Sequence, residues 1–187
     1  MPLLDLPLNL RVRAWANPHG FAGVDYLTYA LGDGREDWAL AWPGARDTWV
    51  VALHGHGAHG DQLFTRPDLR DAWLATYRAL GCGVLAPNLR DNAWMCPAAV
   101  AELHRLLTWA RDHYGVRQWL FISGSMGGTA NLIYGVRHPE DVAAMVALCP
   151  ATDLARYLDW LAPFADGIQR EIADAPDAKM INVTSGT

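Results

Sequence analysis

Apolar and polar residues alternate along the chain in short blocks that predict β-strands separated by helices. Most strand candidates are continuous apolar runs, which are typical of strands buried on both faces of a sheet. The predicted strands are, in chain order, Val24–Leu31, Asp37–Trp42, Thr48–Leu53, Cys82–Ala86, Gln118–Ile122, Val142–Leu148 and Met180–Thr184. Glycines and prolines lie between these runs and mark the turns.

Between the strands, apolar residues recur at helical spacing. The predicted helices are Asp68–Leu80, Pro97–Tyr114, Gly127–Arg137 and a helical or lid-like stretch, Asp153–Ala173. Repeated strand–helix–strand units with short links predict an α/β fold, with a mostly parallel sheet flanked by helices. Because no linker or change in composition divides the chain, residues 1–187 are interpreted as a single domain. Residues 153–173 are either a short cap over the site or ordinary helices that cover the sheet.

Composition narrows the class of protein further. The 187 residues are 51% hydrophobic with a net charge of −5, which suits a globular core and argues against a disordered or fibrous chain. Nucleic acids and anionic membranes are bound by basic patches, whereas the arginines here are scattered and the only lysine is Lys179. No apolar run approaches the ~18 residues that span a membrane, and the N-terminus lacks a basic leader. A cytoplasmic protein is therefore expected.

The strongest chemical signal is the segment WLFISGSMGGTANLIY, residues 119–134. An apolar strand runs directly into a turn with the pattern small–x–Ser–x–Gly, in which the central residue is Ser125, and a helix follows at once. Such a turn lifts the serine hydroxyl to the carboxyl edge of the sheet and directs the first helical amides, here that of Met126, toward a developing oxyanion. The chain has only three serines, Ser123, Ser125 and Ser185, so an incidental serine is a weak explanation.

A glycine-rich loop, HGHGAHGD, follows the predicted strand Thr48–Leu53 and covers residues 54–61. Glycines in this position let backbone amides approach a ligand closely. In a serine hydrolase this loop supplies the second oxyanion donor, and the amide of His56 is the best candidate.

Together, the H-G-x-G loop, the S-G-S-M-G-G turn and the strand order between them resemble the α/β-hydrolase superfamily over residues 20–187. The Ser-x-Gly-Gly form is similar to turns of acetyl esterases and of prolyl-oligopeptidase-like enzymes. The resemblance implies an eight-stranded, mostly parallel sheet and a serine, an acid and a histidine in that chain order. It assigns Ser125 as nucleophile and the amides of His56 and Met126 as the oxyanion hole.

The sequence departs from the family pattern after Ser125. The family's acid and histidine follow the strand equivalent to Met180–Thr184, but every histidine here lies at or before His138, so the catalytic histidine is not identified. His138 follows Ser125 by thirteen residues, about 20 Å along a helix, and is interpreted as a structural residue at a helix end. Asp153 occupies the place of an acid one strand earlier, although capping of the following helix is the alternative interpretation.

Three explanations for the missing histidine stay open. The chain is a C-terminally incomplete piece that lacks the last strand and helix of a longer enzyme, it borrows the histidine from another chain, or it is an inactive scaffold. A serine hydroxyl without an imidazole beside it is a poor nucleophile at neutral pH.

A metal hydrolase is the alternative from another class. The spacing of His54, His56 and His59 is similar to the H-x-H-x-D-H motif of the metallo-β-lactamase fold, although Ala58 replaces its aspartate. Histidines so spaced can face one ion. The preferred interpretation has no metal and no cofactor.

The sequence thus predicts a serine-dependent hydrolase of small carboxylic esters that works through an acyl-enzyme. Three residues that follow strand ends are candidates for its substrate pocket: His59, Trp94 and Met95. The sequence does not indicate the acyl group, the leaving group or the oligomeric state.

Overall fold

The computed structural model of the chain describes residues 9–31 and 33–161. Its seven strands are β1 (Arg11–Ala14), β2 (Asp25–Ala30), β3 (Glu36–Trp42), β4 (Thr48–Val51), β5 (Gly83–Pro87), β6 (Gln118–Gly124) and β7 (Val142–Leu148). The helices are α1 (Gln62–Thr65), a π-helical turn (Leu69–Leu74) that continues into α2 (Ala75–Ala79), α3 (Pro97–Tyr114), α4 (Met126–Arg137), a 3₁₀ turn (Pro139–Asp141) and α5 (Leu154–Leu161).

The strands form one sheet in the order β1-β2-β3-β5-β4-β6-β7. The four strands β5, β4, β6 and β7 are parallel neighbours, whereas β1, β2 and β3 join by antiparallel pairing. The predicted α/β fold with a mostly parallel sheet flanked by helices is confirmed. Because parallel strands end at the same edge, the loops after β4, β5, β6 and β7 meet there.

The sheet is buried on both faces at its centre, as the continuous apolar runs predict. In β4, Trp49 and Val51 belong to one core cluster and Val50 to the other. The first cluster includes apolar residues of α3, α4 and α5, and the second includes residues of α1 and α2. The sheet is therefore fixed between two packed layers of helices, which keeps its carboxyl edge rigid.

Differences from the predicted elements are local. The prediction missed β1, whose four residues are all exposed, and the four-residue helix α1. The helix Pro97–Tyr114 is observed with the predicted bounds, and its C-cap Gly115 has a φ of 70°, a conformation that glycine adopts without strain. The predicted strand Met180–Thr184 and residues 162–173 of the candidate cap lie outside the described residues. The part of that stretch that is described, α5, buries Leu154 and Leu161 in the first core cluster.

Candidate active site

Ser125 lies in a strained turn between β6 and α4. Its φ of 55° and ψ of −128° are a conformation that residues with a side chain rarely adopt. The amide of Ser125 donates a hydrogen bond of 2.8 Å to the carbonyl of Leu148 in β7, and the residue is exposed. The turn therefore presents the hydroxyl to solvent at the carboxyl edge of the sheet.

Close backbone packing explains the small residues around Ser125. A Cβ on Gly127 would lie 2.3 Å from the carbonyl oxygen of Leu53, and one on Gly128 would lie 3.1 Å from that of Leu148. The first distance is far below van der Waals contact, so Gly127 has no room for any side chain. The N-terminus of α4 thus packs directly on the ends of β4 and β7.

Ser123, two residues earlier, has a different task. It is buried, and its hydroxyl accepts a hydrogen bond of 2.9 Å from the Leu53 amide while donating to the Asn131 side chain at 3.2 Å. This side chain continues the pairing between β4 and β6 where the backbone ladder has ended. Ser123 is therefore a structural residue that supports the turn.

Side chains from elsewhere hold the glycine-rich loop that faces the turn. The Gly55 amide donates to the side-chain oxygen of Gln62 at 2.9 Å, and the Gly57 amide donates to that of Asn92 at 2.8 Å. The Gly60 amide donates to the side-chain oxygen of Asn88 at 3.2 Å. The amides on both sides of His56 are thus fixed in direction.

His54 anchors the start of this loop. The ring is buried, with Nδ1 2.9 Å from the carbonyl oxygen of Gly55 and Nε2 2.8 Å from that of Asn88. Since both ring nitrogens face backbone carbonyls, His54 positions the loop and is not oriented to take a proton from Ser125.

A charged network, largely buried except at Asp33, connects the loop after β5 to β2, β3 and α3. Arg90 donates through Nε to Glu102 at 2.9 Å and through Nη1 to Asp33 at 3.0 Å, and its amide donates to Asp37. The Glu102 carboxylate also accepts a hydrogen bond of 2.9 Å from the Tyr29 hydroxyl. Burial, reinforced by the negative charge of Asp37, raises the pKa of Glu102 to about 7, although hydrogen bonds from Tyr29 and Arg90 oppose the rise.

Asn88 connects this network to the glycine-rich loop. Its side-chain nitrogen donates to Asp37 at 2.9 Å, while its side-chain oxygen accepts from the Gly60 amide. No local pattern in the sequence predicts the three supporting side-chain amides of Gln62, Asn88 and Asn92. Their signal in the sequence is only that Asn88 and Asn92 follow a strand that ends at the same edge.

A cavity of about 340 Å³ opens beside Ser125. Its wall is mainly apolar, formed in part by Leu63, Leu69, Trp73, Ile122 and Leu148, with Gln62, Arg66 and Asp68 as polar members. The guanidinium of Arg66 pairs with the Asp68 carboxylate, with 2.7 Å between Nε and Oδ1. The space can hold a small or medium-sized apolar group next to the serine.

The three predicted pocket residues do not line this cavity. His59 is exposed and pairs with Asp91 at 3.1 Å, and it borders a different depression with Asp37 and Arg90. Trp94 and Met95 are buried in the first core cluster and line a small void of about 20 Å³ behind Met126. Trp94 and Met95 were expected in the pocket because their loop follows a strand that ends at the same edge of the sheet as Ser125. Their side chains are instead buried in the core.

Asp153 and His138 have the structural roles that the sequence analysis considered for them. Asp153 accepts a hydrogen bond of 3.0 Å from the Arg156 amide, which is the N-cap geometry for α5. His138 is the C-cap residue of α4. Within the described part of the chain, no hydrogen bond joins Ser125 to a histidine, so the catalytic histidine stays unidentified.

The three histidines of the glycine-rich loop do not form a common metal site in residues 33–161. His54 is held by two carbonyls, His59 pairs with Asp91, and the His56 ring packs on Trp94 with 6.0 Å between ring centroids. Their ring nitrogens do not converge on one point. The arrangement does not support the metallo-hydrolase alternative.

Comparisons with known proteins agree with this geometry. A family model described as the alpha/beta hydrolase fold matches residues 48–177. The chain therefore belongs to the α/β-hydrolase family.

Three individual proteins that the chain resembles are at most 32% identical to it, and each is longer than this chain. A proline iminopeptidase of Xylella fastidiosa is 32% identical over 134 residues, which covers 68% of this chain and 40% of that protein. The acetyl xylan esterase 1 of Thermoanaerobacterium superposes with a TM-score of 0.64 at 14% identity, covering 98% of this chain and 64% of the other. The fluorophosphonate-binding serine hydrolase F of Staphylococcus aureus gives 0.58 at 12% identity, covering 82% and 61%. The chain thus spans less than two thirds of the length of each.

None of the helices in residues 9–31 and 33–161 is both long enough and apolar enough to cross a bilayer.

Proposed function

We propose that the chain carries the nucleophile and the oxyanion hole of a serine hydrolase that cleaves carboxylic esters through an acyl-enzyme. The observation that carries the proposal is Ser125, exposed on a strained strand–helix turn and bordering a mainly apolar cavity. A strained backbone at an exposed serine is retained where presentation of the hydroxyl matters.

In the proposed reaction Ser125 is the nucleophile and two backbone amides hold the oxyanion. Ser125 Oγ bonds to the ester carbonyl carbon while its proton passes to a general base, and the carbonyl oxygen takes the displaced electron pair. The amides of Met126 and His56 stabilise that oxyanion. Collapse breaks the bond to the alcohol, which leaves with the proton, and water then attacks the acyl-enzyme in the same way.

The base is the part of the machinery that the described residues do not supply. A histidine from outside residues 9–161 completes the relay in this proposal, whether from this chain's protein or from another chain. The alternative is a scaffold that keeps the turn and the cavity but has no relay. The two differ in whether Ser125 reacts at neutral pH.

A fluorophosphonate probe tests the nucleophile directly. Incubation at pH 7.5 of the folded chain together with the segment or chain that supplies the histidine is expected to label one peptide, and mass spectrometry is expected to place the adduct on Ser125. The Ser125→Ala variant loses the label. The matched control is Ser123→Ala, which removes the neighbouring buried hydroxyl and keeps the label. Absence of labelling in the folded protein when the histidine is supplied would instead favour the scaffold.

The iminopeptidase relative favours a second candidate, cleavage of an amide after an N-terminal residue by the same serine. Short p-nitrophenyl esters and proline p-nitroanilide separate the two. Turnover of the esters alone supports the esterase, whereas faster turnover of the anilide, dependent on Ser125, supports the peptidase.

A further inference from the structure

Four side chains with metal-ligating groups converge far from Ser125. They come from three elements: His104 from α3, His138 from the end of α4, and Glu140 and Asp141 from the 3₁₀ turn before β7. One ligand atom from each lies within 4.8 Å of the others. Residues distant in sequence thus bring two imidazoles and two carboxylates together.

The carboxylate of Asp141 is buried and firmly oriented. Its Oδ1 accepts a hydrogen bond of 2.8 Å from Arg111, and its Oδ2 accepts one of 2.6 Å from the Tyr134 hydroxyl. The same Oδ2 lies 2.9 Å from His104 Nδ1. One oxygen is therefore fixed by Arg111, and the other faces the imidazole. Such supporting hydrogen bonds orient carboxylate ligands in metal sites.

The two imidazoles lie against each other. The rings of His104 and His138 stack with 4.2 Å between centroids and 17° between planes. The Nδ1 of His138 lies 3.0 Å from a carboxylate oxygen of Glu140. In both nitrogen–oxygen pairs a hydrogen atom joins the two groups, and a metal ion can take its place because neutral imidazole and carboxylate are both ligands.

We propose that His104, His138, Glu140 and Asp141 bind one divalent transition-metal ion of the zinc type. Two nitrogen and two oxygen ligands suit Zn²⁺, and the two carboxylates outweigh the charge of Arg111. Ligand atoms in a tetrahedral zinc site lie about 3.4 Å apart, from bond lengths of roughly 2.0–2.1 Å. Because the ligand atoms lie within 4.8 Å of one another, binding requires a closure of at most about 1.4 Å, and Glu140, with a side chain that is 62% exposed, is the least buried of the four.

The position of the cluster defines its role. His138 follows Ser125 at the other end of α4, about 20 Å away, so the ion would not touch a substrate bound at the serine. It would join α3, α4 and the entry to β7, three segments that already meet through the hydrogen bonds of Asp141 and His138. The site is therefore structural, and it is independent of the proposed hydrolase activity.

Metal binding to the chain, freed of metal with a chelator, tests the proposal. Zn²⁺ is expected to bind with a stoichiometry of one by calorimetry and, at a hundred times its Kd, to raise the Tm by roughly 5–10 °C. Co²⁺ is expected to give the visible absorption of a tetrahedral site. Labelling of Ser125 at 25 °C is expected to stay unchanged.

Conservative variants locate the ion. The double variant His104→Gln/His138→Gln is expected to lose the Co²⁺ absorption and at least 100-fold in Zn²⁺ affinity, with its circular dichroism confirming the fold. The matched control is His113→Gln, which removes another α3 histidine whose ring stacks on Trp109, and it is expected to bind as the wild type does.

Two results would overturn the site. The first is the absence of binding to wild-type protein at millimolar Zn²⁺. The second is unchanged binding by the double variant, which would place the ion elsewhere. Either result would leave the four side chains as a network of hydrogen bonds only.

Discussion

Two loops at the same edge of the sheet face the candidate reaction centre, and they are held in different ways. The turn at Ser125 is fixed by contacts of the main chain, with its amide on Leu148 and with no room for a side chain at Gly127. The glycine-rich loop, residues 54–61, is fixed by side chains from α1 and from the loop after β5. One half of the candidate oxyanion hole is thus set by backbone geometry and the other half by side-chain amides.

The difference also concerns charge. Around the turn, the hydrogen bonds use the backbone and the neutral side chains of Ser123, Asn131 and Thr129. Beneath the glycine-rich loop, Asn88 bonds to the Asp37 carboxylate and Arg90 to Glu102. The turn should therefore respond to changes in volume, and the loop to pH and to loss of single acceptors.

The largest effect is expected from a change of volume in the turn. Gly127→Ala places a Cβ 2.3 Å from a backbone oxygen, so the ends of β4 and α4 must separate, at a cost of at least about 3 kcal/mol. The matched control is Gly124→Ala, whose Cβ would meet its nearest neighbour at 3.6 Å and should cost under about 1 kcal/mol. Urea unfolding measures both, and equal losses would contradict the packing argument.

The second expected effect is a pH dependence of the unfolding free energy that is caused by Glu102, in the charged network next to the glycine-rich loop. Glu102 has a pKa of about 7 in the folded chain against an ordinary 4.5, so the folded state binds more protons between these values. The contribution of Glu102 to the free energy of unfolding therefore falls as pH rises from 4.5 to 7. Relative to Glu102→Gln, the wild type is expected to lose about 2.5 kcal/mol of unfolding free energy between pH 5 and pH 8. Parallel pH curves for the two proteins would show that Glu102 titrates normally.

The smallest effect is expected from a single acceptor of the loop. Asn92→Ala removes the oxygen that fixes the Gly57 amide, and a looser neighbour of the His56 amide should slow fluorophosphonate labelling about 10-fold, or about 1.4 kcal/mol. Asn92→Asp keeps an acceptor at this place and should recover most of the rate. Equal rates for Asn92→Ala and wild type would show that the loop does not need this bond.

Most of the fold could be predicted from the sequence because its signals are local. The buried strands β4 and β6 are apolar runs, and the start of α4 and the end of α3 have their own turn residues. The prediction missed β1 because its alternation of Arg11, Val12 and Arg13 is short and exposed on all four residues. It is placed by its pairing with β2 and by the ion pair of Arg11 with Glu36, contacts that local sequence does not encode.

The candidate site was predictable to the extent that backbone geometry defines it. The residues that define the turn lie within a few positions of Ser125, so a local pattern predicts it. The roles of Asn88 and Asn92 depend on contacts with residues about thirty positions earlier, so no local pattern predicts these roles. Trp94 and Met95 show the converse, since their loop was placed at the right edge but burial of their apolar side chains decided their direction. Likewise, the convergence of His104 with Asp141 spans 37 positions.

The π-helical turn Leu69–Leu74 forms part of the cavity wall through Leu69 and Trp73. A wide turn of this kind contains one residue more than a turn of the α-helix that it interrupts. Deletion of a single residue there would return the turn to ordinary α-helical geometry and move Leu69 and Trp73 relative to each other in the cavity wall. The shape of the cavity is therefore encoded partly in the number of residues in this turn and not only in their side chains.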